Sequence, residues 1–94
     1  KDLVNAEKNF LKSIELNKDN IAAMNNLGNT YRYLHCYEAA ESYFKSALAL
    51  NPNYIKTLNN YGNLKFIVNL PDEAISLYKK AVSISPNNFI GLII

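Results

Sequence analysis

The sequence predicts an all-α fold, a solenoid built from antiparallel helix pairs. The first observation behind this prediction is an internal repeat, because residues 21–54 and 55–88 align with an offset of 34 residues and 11 of the 34 aligned positions are identical. The second is that apolar residues recur three or four positions apart, which is the spacing of one helix face. A period of this length is typical of helical arrays in which neighbouring repeats share a continuous core.

Residues 1–20 correspond to the second half of a repeat. Shifted by 34 positions, Ala6 aligns with Ala40 and Phe10 aligns with Phe44. Leu3, Ala6 and Phe10 lie on one helical face, so the segment is expected to form a single helix. We call the two helices of a repeat helix A and helix B. Residues 1–20 then form a helix B without its helix A, and we interpret the chain as a piece of a longer array.

Each complete repeat is predicted to contain two helices and a short turn. In residues 21–54, helix A covers 21–34 and helix B covers 37–50, and Pro52 ends helix B because the residue before proline avoids helical geometry. In residues 55–88, the helices cover 55–68 and 71–84, and Pro71 lies in a first turn, where its missing N–H is tolerated. Residues 89–94 are almost wholly apolar and are expected to begin a further helix A.

A glycine occurs at the same place in both helices A, as Gly28 and Gly62. Glycine inside a helix costs roughly 1 kcal/mol relative to alanine, so its repetition indicates a close approach between helices. We expect the small residues Ala40 and Ala74 on the helices B to lie opposite these glycines.

Composition excludes several classes of function. The net charge is only +2, so the sequence shows no broad basic surface for nucleic acid or for a membrane. No apolar run approaches the roughly 20 residues that a membrane span requires. The single cysteine, Cys36, rules out an intrachain disulfide and agrees with a reducing, intracellular setting in the cytoplasm or nucleus.

Side chains that carry catalysis or hold metals are sparse. His35 is the only histidine and is predicted to be solvated in a turn, while its neighbour Cys36 has no third group to orient a thiol–imidazole pair. Glu38 and Glu41 are three residues apart and are expected on an exposed helix face. We predict no catalytic residues, no metal site and no cofactor.

The repeat resembles the tetratricopeptide repeat (TPR) family, whose pattern places a bulky residue, Leu-Gly and Tyr on helix A, and Ala, an aromatic residue, Ala and Pro on helix B. Lys65 departs from this pattern, because an aromatic residue is usual there. The resemblance implies a right-handed superhelix whose helices A line a concave groove. The positions that match in the first complete repeat are Met24, Leu27, Gly28, Tyr31, Ala40, Phe44, Ala47 and Pro52.

Repeated asparagines are the most informative polar residues. An asparagine amide offers donors and acceptors, so a column of them can hold the main chain of an extended peptide without demanding a sequence. The alternative is that some of these amides only tie the repeats together. The predicted groove consists of Asn25, Asn26, Asn29, Arg32, Tyr33, Lys56, Asn59, Asn60, Asn63, Phe66 and Ile67.

We therefore predict a protein–protein interaction module that binds a peptide or protein segment. One alternative is the TPR portion of a larger enzyme, since the asparagines resemble those of O-linked N-acetylglucosamine transferases. Another is a chaperone-associated co-chaperone, although the carboxylate clamp of such domains is incomplete here, with Asn60 where an arginine is needed. A third is a purely structural spacer. The apolar ends also predict a homo-oligomer.

Overall fold

The computed structural model describes residues 3–16 and 20–86, which form five α-helices and no strand. The all-α prediction is confirmed, and each predicted helix boundary in the two complete repeats agrees to within one residue. The predicted start of a further helix at 89–94 lies outside the described residues. The helices are α1 (Leu3–Leu16), α2 (Ile21–Tyr33), α3 (Tyr37–Leu50), α4 (Ile55–Ile67) and α5 (Pro71–Ile84).

The chain divides into two compact units, Lys1–Pro52 and Asn53–Ile94. In the first unit, α1 packs on α2 and α2 packs on α3. The α2–α3 pair encloses an apolar core in which Leu27, Phe44 and Ala47 are fully buried. Asn20 caps α2, because its side-chain oxygen accepts a hydrogen bond of 3.0 Å from the Ala23 N–H.

The second unit repeats this arrangement with α4 and α5 packed together. Leu58 and Leu64 of α4 are buried, as are Ala74 and Ala81 of α5. Pro71 occupies the first turn of α5, as the sequence predicts. The acidic residues that follow it suit the positive end of the helix dipole.

Both helix pairs are joined by the same turn, in which one residue adopts left-handed backbone geometry. His35 has φ 63° and Asn69 has φ 66°. The Cys36 N–H donates to the Tyr31 carbonyl and the Leu70 N–H donates to the Lys65 carbonyl, both at 2.8 Å. This is the Schellman arrangement, which satisfies the last carbonyls of a helix and reverses the chain.

The predicted close approach at the glycines is confirmed, and the atoms nearest to each glycine belong to an aromatic ring rather than to Ala40 or Ala74. A Cβ on Gly28 would overlap the ring of Phe44, and a Cβ on Gly62 would overlap the ring of Tyr78. Side chains on a helix lean toward its N-terminus, so the ring of Phe44 covers the surface one turn before its own Cα. Ala40 is fully buried, but the aromatic ring is what requires glycine on the facing helix.

Within residues 3–16 and 20–86, every helix is too short or too polar to cross a membrane.

Candidate functional site

One line of residues on each helix A remains at the surface. The two lines have the same spacing of four, three and four residues, which follows one face of a helix. Their members are exposed or half-buried, and Tyr33 is the most open of the large apolar side chains at 59 % exposure. We call them the α2 stripe, Ala22, Asn26, Asn29 and Tyr33, and the α4 stripe, Lys56, Asn60, Asn63 and Ile67.

Within each stripe, one asparagine is already oriented by a contact inside its own unit. Asn29 accepts a hydrogen bond from the Arg32 guanidinium. Asn63 accepts a hydrogen bond of 2.6 Å from the Tyr78 hydroxyl. The amide oxygen is engaged in both cases, and the NH₂ group of each amide can donate to a ligand.

Arg32 and Phe66 occupy equivalent positions beside the two stripes. The guanidinium of Arg32 lies 4.7 Å from the centroid of the Tyr33 ring, within the range of a cation–π contact. Phe66 is 50 % exposed and adjoins Ile67, which is 47 % exposed. The first stripe is therefore bordered by a charge and the second by apolar surface.

Asn25 and Asn59 differ from the prediction that they face an open groove. Both are buried, at 4 % exposure, and both take part in polar contacts. In the first unit α2 packs against α1 as well as α3, so a second face of this helix is covered. A buried amide needs a hydrogen-bonding partner. The burial of these two asparagines therefore favours the alternative interpretation, in which the amides stabilise the fold.

Sequence reasoning missed a contact that fixes α1 to α2. The Tyr31 hydroxyl donates a hydrogen bond to the Glu7 carboxylate. This hydrogen bond, together with burial, raises the pKa of Tyr31 to about 12. The Tyr31 ring also stacks on Tyr43, with centroids 5.6 Å apart and planes inclined by 12°. Glu7 aligns with Glu41 in the next repeat, but alignment alone did not reveal its partner.

Lys65 occupies the position equivalent to Tyr31 and uses a different contact. Its ammonium group lies 2.9 Å from the Glu73 carboxylate and 5.3 Å from the centroid of the Tyr61 ring. The departure from the family pattern is thus accommodated by an ion pair between α4 and α5. It also means that the charge of Lys65 is already matched within its own unit.

The turn at His35 lines an open cavity of about 480 Å³ together with residues 36–39. The His35 Nδ1 is 2.9 Å from the Tyr37 hydroxyl, whereas the exposed Cys36 thiol donates to the Leu34 carbonyl at 3.7 Å. The imidazole therefore contacts the phenol and not the thiol. In the described ranges, His, Cys, Asp and Glu form no group of three that could hold a metal.

Repeated helix hairpins with a glycine–aromatic crossing and an exposed stripe on the first helix define a helical-repeat protein. The tetratricopeptide repeat family model matches residues 19–87, and the chain belongs to that family. The chain is similar to a structure described as the first TPR of Spaghetti (RPAP3) bound to the HSP90 peptide SRMEEVD. The two share 26 % identity with a TM-score of 0.91, over 98 % of this chain and 73 % of that one. No curated protein matches the sequence.

Proposed function

We propose that this chain is a protein-interaction module that binds an extended peptide segment through the α2 stripe and the α4 stripe. The observation that carries the proposal is the match between the two stripes, which place asparagines at the same two positions of each helix. Asn26 is exposed and Asn60 is half-buried at equivalent positions. A feature that recurs on the surface of both repeats needs an explanation other than core packing.

The chemistry of the stripes suits the main chain of a peptide. The amide oxygens of Asn29 and Asn63 each accept a hydrogen bond within their own unit, and the NH₂ groups of both amides can donate to a ligand. Donors of this kind pair with peptide carbonyls, while Asn26 and Asn60 can also accept from peptide N–H groups. Binding through main-chain groups gives affinity, and the side chains that border the stripes give selectivity.

The similar TPR structure supports a peptide as the ligand, since its title names a bound HSP90 peptide. That neighbour favours the co-chaperone reading over a repeat array attached to a transferase. We expect the module itself to have no catalytic role and to act inside the cell, in the cytoplasm or the nucleus. Self-association through the apolar ends stays a prediction, which sedimentation at micromolar concentration would test.

The test is to replace Asn26 and Asn60 together with alanine and to measure binding of the labelled peptide SRMEEVD by fluorescence anisotropy. Each lost neutral hydrogen bond is worth about 0.5–1.5 kcal/mol, so the double variant should bind more weakly by about 1–3 kcal/mol. The control is the double alanine variant of Asn5 and Asn9, two exposed asparagines on α1, which should bind like the parent.

Two results would contradict the proposal. In one, the Asn26→Ala/Asn60→Ala variant binds as tightly as the parent, which removes the asparagines from the site. In the other, the parent chain binds neither this peptide nor any member of a random peptide library. Circular dichroism of the variants at 222 nm separates loss of binding from loss of folding.

A further inference from the structure

The two repeats differ where their stripes end. Arg32 and Tyr33 in the first repeat correspond to Phe66 and Ile67 in the second. The surrounding framework is the same, because both pairs lie in the last turn of a helix A before an equivalent left-handed turn. The two pairs lie at exposed or half-exposed positions, and the helix and turn around them are equivalent in the two repeats. The difference between the pairs therefore bears on what each repeat binds.

Among the residues that the structure describes, Arg32 forms no ion pair with an acidic side chain. In the part of the chain that the structure describes, its polar contacts are the neutral amide of Asn29 and the ring of Tyr33. Its Nε is buried and has no acceptor among these residues. A guanidinium has five donors in a fixed plane, and a carboxylate is the acceptor that matches them best.

Lys65 is a cation of the same fold whose charge is balanced by an ion pair. It lies 2.9 Å from the Glu73 carboxylate, so its charge is compensated within the second unit. Lys56, by contrast, is an exposed member of the α4 stripe. Arg32, which borders the α2 stripe, and Lys56, which belongs to the α4 stripe, both favour an acidic ligand over a basic one.

Phe66, which lies beside the α4 stripe, and Ile67, the last member of that stripe, present apolar surface. Each of these residues is about half exposed to water. Contiguous exposed apolar residues bordered by polar ones mark interaction sites, and aromatic residues are prominent among the residues that dominate binding energy. A large apolar side chain is the ligand group that such a surface would cover.

Resting on the proposed peptide binding, we propose that the partner segment carries one acidic side chain, bound in the first repeat by Arg32, and one large apolar side chain, bound in the second repeat by Phe66 and Ile67. The two subsites lie in separate units, and they bind side chains of different chemistry. In both repeats the asparagines bind the main chain of the partner segment. The residues at the ends of the stripes determine which sequences bind.

The experiment selects peptides from a phage-displayed random 12-residue library on the parent chain. The expected result is enrichment of peptides that contain Asp or Glu together with Leu, Ile, Met or Phe. Binding of one selected peptide is then compared with its versions in which the acid is replaced by its amide and the apolar residue by alanine. Each replacement should weaken binding at least tenfold.

Variants of the chain assign each preference to its repeat. Arg32→Gln should abolish the difference between the acidic peptide and its amide version, whereas Lys45→Gln, which removes an exposed cation on α3, should leave that difference unchanged. Phe66→Ala with Ile67→Ala should abolish the preference for the apolar residue. Ile75→Ala, which truncates a side chain that is 48 % exposed on α5, serves as its control.

Failure of this inference is distinguishable from failure of the proposed function. Selected peptides that depend on Asn26 and Asn60 but show no enrichment of acidic or apolar residues overturn the inference alone. The same holds if Arg32→Gln and the control weaken binding of the acidic peptide equally. A parent chain that selects no peptide overturns both. Arg32→Lys, which keeps the charge, provides a folded comparison if Arg32→Gln loses its helical signal.

Discussion

Replacing Gly28 with alanine tests how the helix hairpin is held together. Alanine favours a helix over glycine by about 1 kcal/mol, so an unhindered site would gain stability. Here the new Cβ would meet three atoms of the Phe44 ring, all closer than real Cβ contacts allow. Phe44 is fully buried, so the ring has little room to move. Overpacking of this kind costs about 1–3 kcal/mol, and we expect a net loss of about 1 kcal/mol.

Urea unfolding followed by circular dichroism measures this loss. The decisive comparison is a double-mutant cycle with Phe44→Leu, in which the smaller side chain leaves space for the Cβ. In that background Gly28→Ala should be neutral or stabilising. The control is Asn26→Ala at an exposed position of the same helix, which should change stability by only a few tenths of a kcal/mol. If Gly28→Ala costs the same with Phe44 and with Leu at position 44, the ring is not the obstacle.

Substitutions at Ala40, Glu7 and Lys65 each perturb one packing or polar contact. Ala40→Leu fills a fully buried site and should lower the free energy of unfolding by about 1–3 kcal/mol; an unchanged melting temperature would contradict this. Glu7→Gln should bring the pKa of Tyr31 down from about 12 toward 10 in a spectrophotometric titration. Because the pKa of Tyr31 is raised in the folded state, its contribution to stability is complete below about pH 10 and is lost as the pH rises toward 12. If Glu7→Gln keeps the parental alkaline unfolding profile, the contact with Glu7 is not the cause. Lys65→Gln removes an ion pair whose acid is 56 % exposed, and the free energy of unfolding should change by less than about 1 kcal/mol; a larger loss would mean that the pair is more than a surface contact.

The helix boundaries were predictable from the sequence because local chemistry sets them. Pro71 begins α5, and the residue before Pro52 ends α3, for reasons that need no tertiary information. The 34-residue period then extended the interpretation from one hairpin to the other. Most residues of the candidate stripes could also be predicted from the sequence, because the exposed face of a helix is known once its buried face has been identified.

The remaining features depend on which neighbours a helix has. Asn25 lies away from α3 on a helical wheel, yet it is buried, and α2 also packs against α1, which a wheel drawn for the α2–α3 pair does not include. The contact between Tyr31 and Glu7 joins residues 24 apart, and no periodicity specifies it. Likewise, the ring of Phe44 covers Gly28 because of the direction in which the side chain leaves its helix. The residue types alone do not specify this contact.

The hairpin contacts have a kinetic consequence. In the second unit, the bond between Tyr78 and Asn63 joins residues only 15 positions apart, and the ring of Tyr78 packs over Gly62 just beside it. A chain whose stabilising contacts are this short in sequence has a low contact order, and closing such small loops is fast. We expect α4 and α5 to meet early in folding, because the aromatic residue and its glycine find each other without waiting for distant parts of the chain.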